Sequence, residues 1–349
     1  MSVRHGIPDK RLDMVPRKLG FRFSLISYNI LSQTLLNNHS HLYTNCNPKD
    51  LEWPGRGHRI ISELLHDRAD IICLQEVESE HLQSLYRPRL ARYGYECLYK
   101  KKTGYKIDGC AIFYRSKLFR VLECKGVEFN RTDVSQILNR DNVGIIAVLK
   151  PKVQTRSKSS QLVIANTHLI FNPKRCDIKL AQLELFLSEL NQISLIDHEH
   201  IGAKCCHHPT ILCGDLNSAP DSGVSKFIIN PTAFRDGVED RNERLVVSDE
   251  DRCIEDSPRN DDVTEKIPVD APNHSFMFKS VYPTQNKEGT PYVSTFSNCI
   301  VDYIFYTPKL RLESYRELLT VDELREIGPI PNSEFPSDHL TLEAKFTLE

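Results

Sequence analysis

Short apolar runs punctuate this chain from end to end. Most show either the two-residue alternation of a half-buried strand or the continuous apolar character of a fully buried one. Residues 21–30 ("FRFSLISYNI"), 70–77 ("DIICLQEV"), 110–115, 143–149, 162–170, 210–217, 302–307 and 340–346 are expected to be strands. Two stretches carry the 3.6-residue spacing of a helix with one apolar face instead. Leu183, Phe186, Leu187, Leu190 and Ile193 keep it between 177 and 193, and Ile60, Ile61, Leu64 and Leu65 keep it near 57–67. In order, 21–30, 57–67 and 70–77 make one strand–helix–strand unit, and 162–170, 177–193 and 209–216 make a second. In each unit the first strand ends on a polar residue, Asn29 or His168, and the second on an acid, Glu76 or Asp215. Both separations are 47 residues. Two similar halves predict an α/β fold built as a two-sheet sandwich, with its polar strand ends gathered at one edge.

Composition narrows the picture. The 349 residues are 40% hydrophobic and 26% charged, enough apolar material for a large core. No apolar run reaches the ~18 residues that a membrane span needs. Residues 1–19 are basic and broken by prolines, without the apolar segment of a secretory signal, and read as a flexible lead-in. With no linker or shift of composition, 20–349 reads as a single domain. The eleven cysteines are odd in number and embedded in apolar runs, the usage of reduced thiols in the cytosol or nucleus. "CCHH" (205–208) is too tightly spaced to close a zinc tetrahedron and reads as a loop. Residues 152–161 read as a hairpin turn.

Net charge is −2, but residues 235–270 hold thirteen Asp/Glu against six Lys/Arg, a local −7, so the remainder carries +5. That acidic stretch lacks periodicity and is expected to be a disordered surface loop. A mildly basic body suits a phosphate-bearing substrate.

The polar strand ends supply candidate chemistry. Asn29 closes an apolar alternation and, taken alone, reads as a turn residue. Glu76 ends a buried-strand run, where a carboxylate is costly unless paired or metal-bound. Asp215 and Asn217 in "GDLNS" stand two apart, which suits either the aligning of a water or an Asx-turn. Asp302 opens "DYIFYT", and Asp338–His339 sit in "FPSDHLTL" before the last strand. An Asp302–His339 contact would fix the imidazole's tautomer and favour its cation. Glu76, Asn29 and Asp338 together make an all-oxygen set of the kind Mg²⁺ takes. Asp215 and Asn217 would align a water, while His168 and His339 face phosphoryl oxygens. The sum is a metal-assisted phosphodiester hydrolase site.

"SYNIL", "LQEV", "NTHL", "GDLNS", "VDYIFY" and "SDH", in this order, resemble the exonuclease–endonuclease–phosphatase superfamily. The resemblance implies a four-layer α/β sandwich with two mixed sheets, flanked by helices. "SYNILSQTLL", "GYKIDGCAIFY", "LNRDNVG" and "NTHLIFNPKRCDIKLAQL" are similar to the Angel proteins of the deadenylase and nocturnin branch. That branch implies Mg²⁺, with Mn²⁺ as substitute, and RNA 3′ ends as partner; it names no membrane and no protein partner. It implies a catalytic set of His168, Asp215, Asn217, Asp302 and His339 and a metal set of Asn29, Glu76 and Asp338.

Removal of a 2′,3′-cyclic phosphate is the expected reaction. A 3′-to-5′ exoribonuclease with poly(A) preference and a non-catalytic RNA-binding module are the alternatives. Deadenylases place a base-contacting aromatic before "VDYIFY"; Phe296 is the candidate here, in a segment that reads a residue short. Phe171 is the other aromatic available for stacking. Asn142, Arg140, Asn172 and Asp177 flank the motifs, placed either to touch substrate or to cap strands and helices.

Overall fold

A computed structural model describes residues 9–11, 20–152, 161–196, 207–230 and 274–348. Two mixed sheets face one another. The seven-stranded sheet runs β1 (Asp9–Arg11), β12 (Leu310–Arg316), β13 (Leu342–Leu348), β2 (Phe21–Asn29), β3 (Ile71–Gln75), β5 (Gly109–Arg115), β4 (Tyr95–Lys101). The six-stranded sheet runs β10 (Lys279–Ser280), β11 (Asp302–Tyr306), β9 (Thr210–Asp215), β8 (Leu162–His168), β7 (Val143–Pro151), β6 (Phe119–Glu128). Among the described residues only β2–β3 and β8–β9 pair in parallel. A parallel pair needs a crossover, and these are the two expected strand–helix–strand units, with helices at Trp53–His66 and Cys176–Ser194.

Alternation along the strands decides which side chains meet. In β2, Phe23 and Leu25 enter the main core between the sheets. Ile26 and Tyr28 pack on the other face with Ile60 and Leu64 of the Trp53–His66 helix. By the same period of two, Asn29 shares the inner face with Phe23 and Leu25. Gln75 of β3 and Asn166 of β8 join the sheets through a 2.7 Å side-chain hydrogen bond. Asn166 also donates to the carbonyls of Leu74 and Ala111, at 3.0 Å each. The Asn166 amide is thereby satisfied within the core, whereas Gln75 Oε1 is buried without a hydrogen-bond partner.

Part of the N-terminal stretch expected to be flexible is strand: residues 9–11 pair with β12. An otherwise open edge strand offers the free backbone groups that make such pairing favourable. The acidic segment 235–270 lies outside the described residues. So does 153–160, which joins the antiparallel neighbours β7 and β8. Among the described residues no helix is long and apolar enough to cross a membrane. His207 of "CCHH" is held through both ring nitrogens, by Ser194 Oγ at 2.8 Å and Ser275 Oγ at 2.5 Å, as a structural histidine would be.

Candidate active site

One edge of the sandwich collects the polar strand ends. His168 pairs in register with Asp215, and Asp215 with Asp302, so three neighbouring strands of one sheet present them side by side. Gly214 allows this. At φ 136°, it lies so close to β8 that an added Cβ would stand 1.9 Å from the Thr167 carbonyl oxygen. From the other sheet, the Asn29 amide donates to Glu76 Oε1 and to Asp215 Oδ2, both at 3.0 Å, tying the two halves together.

The equal 47-residue spacing does not mark equivalent positions. Asn29 pairs with Gln75, whereas His168 pairs with Asp215. Strand alternation would turn Glu76 to the outer face. Instead it adopts φ 58°, a left-handed conformation that costs a non-glycine residue of order 1 kcal/mol or more. The strand ends there, and the carboxylate meets the Asn29 amide on one oxygen and the Ser32 N–H, at 2.8 Å, on the other.

Asn217 lies beyond β9 with φ 49°, in the Asx-turn that was one of its two expected roles. Its backbone N–H donates to Asp215 Oδ1 at 2.9 Å, an Asx-turn, and its side-chain amide donates to the Leu169 carbonyl at 3.0 Å. Asp215 therefore commits Oδ1 to the turn and presents Oδ2 to the site.

Asp338 and His339 arrive on the segment before β13. Tyr43 donates its hydroxyl to Asp338 Oδ2 at 2.8 Å, and Ser337 Oγ donates to the Asn29 carbonyl at 2.7 Å. His339 Nδ1 lies 2.8 Å from Asp302 Oδ2, which also accepts from Ser294 Oγ at 2.7 Å. The imidazole is thus oriented as expected. Its Nε2 stands 3.8 Å from Asp215 Oδ2, and His168 Nε2 stands 3.6 Å from that same oxygen.

The two histidines differ in one respect. His168 Nδ1 is buried without a hydrogen-bond partner, whereas His339 Nδ1 has Asp302. Burial, with the charges of Lys102 and His339, holds His168 well below the ordinary histidine value and so neutral. Burial opposes charge on His339 too, but Asp302, Asp215 and Asp338 outweigh it and hold it well above that value, a cation. Burial, and then the Asp302 charge, push Asp215 up to about 7. Burial also raises Glu76, against the opposing charge of Lys102. Lys102 is itself buried and paired with Asp108 at 2.7 Å.

Opposed shifts of this kind assign acid and base roles to neighbouring groups. Whatever the His339 cation contributes is present below its raised value and lost as pH rises through it. Asp302→Asn is expected to move the alkaline limb of kcat down by roughly 1–3 pH units, the usual reach of one neighbouring carboxylate. A limb that stays in place in a pH–rate profile would detach the pair from the reaction.

The eight residues of the catalytic and metal sets converge; of the three substrate candidates, Asn142 and Phe296 border them through His168 and Asp338, and Asn172 bonds locally. Asn142 buttresses the site, donating to the His168 carbonyl at 3.2 Å. Asn172 caps a turn by accepting from the Lys174 N–H at 2.9 Å, and Asp177 pairs with Arg175 at 2.8 Å. Phe296 is 37% exposed, its ring 6.1 Å from that of Tyr43, and lines a pocket of about 220 Å³ with Leu42, Cys46, Leu324 and Ile330. Phe171 is exposed.

Sequence reading missed Tyr43, Ser337 and Arg56, which meet Asp338, Asn29 and Pro336 far away along the chain, and the nearby pair Lys102–Asp108. Arg56 left a signal. It stands four and eight residues before Ile60 and Leu64, on the apolar stripe of its helix, where a charge is out of place.

The carboxylates suit a divalent cation. Ligating atoms of Asp215, Asp302 and His339 lie within 4.8 Å of one another, and Asp302 Oδ1 is buried without a hydrogen-bond partner. The donors nearby are hard oxygens, those a cation such as Mg²⁺ prefers.

Fold and site define an enzyme of phosphate esters. The chain belongs to the Endonuclease/Exonuclease/phosphatase family, whose model matches residues 26–339, and it is a phosphoric ester hydrolase. It is 36% identical over 98% of its length to Protein angel homolog 2 of Mus musculus, covering 73% of that protein. A crystal structure of ANGEL2, a 2′,3′-cyclic phosphatase, in complex with adenosine-2′,3′-vanadate matches with a TM-score of 0.78 and 38% identity. The match covers 95% of this chain and 96% of that one. The human nocturnin catalytic domain with bound sulfate shares the fold, with a TM-score of 0.63 at 22% identity and 98% of both chains covered.

Proposed function

We propose that this protein is a Mg²⁺-dependent hydrolase of 2′,3′-cyclic phosphates at RNA 3′ ends. The observation that carries the reading is the Asp302–His339–Asp215 arrangement: a cation and a base beside one another, on a chain 38% identical to a 2′,3′-cyclic phosphatase. Glu76 and Asp338 would hold the Mg²⁺, with Mn²⁺ as substitute. Their orientation by Asn29, Ser32 and Tyr43 supports that choice. The His339 cation makes the Asp215–Asp302–His339 group the poorer host, because like charges repel.

When bound, the ion neutralises charge on the phosphoryl oxygens and fixes the register of the ester. The chain's own groups do the rest. His339 donates from Nε2 to a phosphoryl oxygen as negative charge grows there. His168, neutral, offers one further N–H to the same region. Asp215 Oδ2, its other oxygen tied into the turn, accepts a proton from the attacking water as the bond from phosphorus to a ribose oxygen breaks, and that oxygen leaves as a hydroxyl protonated from solvent. That function needs the ionised carboxylate, so activity falls as pH drops through the Asp215 value, which a nearby cation would lower from about 7.

The test uses two RNAs of one sequence, ending in a 2′,3′-cyclic phosphate or in a 3′-hydroxyl adenosine tail. Loss of the terminal phosphate without shortening is expected, abolished by chelator and restored by Mg²⁺ or Mn²⁺. A ladder on the tailed RNA would point to the exoribonuclease, and binding with no product to the RNA-binding module. Either would refute the reading.

A further inference from the structure

We infer that Arg56 is a positioning residue for this chemistry: its buried guanidinium bolts the loop that orients Glu76 to the loop that delivers Asp338. The inference rests on the reading above and concerns a residue with no place in the catalytic or metal sets.

Arg56 lies in the first turns of the Trp53–His66 helix and is 0% exposed. Among the described residues it has no carboxylate ion-pair partner. All its side-chain hydrogen bonds go to neutral oxygens: three carbonyls of the two loops and the Gln33 side chain at the start of the helix Gln33–Asn38. Nη1 donates to the Ile30 carbonyl at 2.9 Å and to the Pro336 carbonyl at 3.0 Å. Nη2 donates to the Leu31 carbonyl at 2.5 Å, and Nε to Gln33 Oε1 at 3.1 Å. The Trp53 ring lies 5.5 Å from the guanidinium carbon. Burying a cation this way is costly, and a fold concerned only with stability is served as well by an apolar side chain.

The carbonyls it holds explain the position. Leu31 has φ 52°, a strained value for a leucine. In that conformation the Leu31 N–H reaches Asn29 Oδ1 at 3.1 Å and the next N–H, of Ser32, reaches Glu76 Oε2. The first bond aims the Asn29 amide at Glu76 and Asp215; the second fixes the Glu76 carboxylate. Pro336, the third carbonyl, lies two residues before Asp338. Ser337 between them closes the circuit by bonding the Asn29 carbonyl. The planar fork spans three carbonyls at once, which the single point of a lysine ammonium cannot do.

The test compares Arg56→Lys and Arg56→Gly with the unaltered chain. Groups that orient metal-binding side chains typically change cation affinity or activity by about 10–100-fold. Arg56→Lys is expected to fold, to bind Mn²⁺ about 10–100-fold more weakly by calorimetry, and to lose kcat by a similar factor with KM unchanged. Free guanidinium is expected to restore Mn²⁺ affinity and kcat to Arg56→Gly. Wild-type Mn²⁺ affinity and kcat in Arg56→Lys would overturn the inference, as would a folded Arg56→Gly that guanidinium does not rescue. Should Arg56→Gly not fold, Gln33→Leu, which removes only the Nε acceptor, decides: weaker Mn²⁺ binding supports the inference and wild-type binding overturns it. The Mn²⁺ measurement needs no substrate. Inactivity of the unaltered chain on cyclic-phosphate RNA would therefore count against the proposed function alone.

Discussion

Glu76→Gln is expected to lose divalent-cation binding and about 10³–10⁴-fold in turnover, while the metal-free protein keeps its fold. At 1.36 kcal/mol per tenfold this asks the carboxylate for roughly 4–5 kcal/mol, within the several kcal/mol a bound cation supplies to a phosphoryl transition state. Both Glu76 oxygens are acceptors, toward the Asn29 amide and the Ser32 N–H. A glutamine must turn an NH₂ toward one of those donors, so neither flip preserves the arrangement. Stability is a different matter. Burial already disfavours the Glu76 charge, and neutralising it offsets the lost hydrogen bond. The unfolding free energy of the metal-free variant in a urea titration is expected to stay within about 1 kcal/mol of the unaltered chain, the range of a mild substitution. Undiminished Mn²⁺ affinity in a calorimeter would remove Glu76 from the metal site.

Asp215→Asn is expected to do the reverse: keep cation affinity and lose about 10²–10⁴-fold in kcat, the range of general-base catalysis. Its Oδ1 accepts from the Asn217 N–H at 2.9 Å and its Oδ2 from the Asn29 amide at 3.0 Å, so the amide again fits poorly, but the loss that counts is the base. Single-turnover rates with the cation saturating isolate the chemical step. A kcat within threefold of the unaltered chain would assign the base elsewhere. Together the two variants separate holding the cation from activating water, which a pair of alanine substitutions would blur.

Much of this frame was legible in the chain because parallel, doubly buried strands cannot hide their apolar runs. The strands leading to Asn29, Glu76, His168 and Asp215 were visible that way, and β11, which opens on Asp302, pairs antiparallel but is buried along most of its length. What escaped notice has physical reasons. Strands β4 and β6 close the two sheets, and "FRVLECKGVE" is mostly exposed or half-buried, so its polar residues mask the pattern. Leu31 and Glu76 take left-handed conformations that their residue types do not announce, and each breaks the alternation at the site, whereas Asn217 is of a type that adopts that conformation readily. Tyr43 and Arg56 meet partners 295 and 280 residues away along the chain, a contact no local pattern contains. Asn142 borders a motif, and one N–H of its amide bonds the His168 carbonyl, a contact the motif alone does not indicate. Asp302 and His339 were readable because two adjacent motifs needed one another; the 2.8 Å contact is where that reasoning met the structure.

The most direct measurement runs the reaction in ¹⁸O-labelled water with an RNA ending in a 2′,3′-cyclic phosphate, followed by mass spectrometry of both products. Opening the ring and then releasing the monoester each consume one water. The account therefore predicts inorganic phosphate carrying two solvent oxygens and an RNA of unchanged nucleotide count ending in a free diol. Adenosine or other nucleoside monophosphates carrying one solvent oxygen, with the RNA shortened, would contradict it.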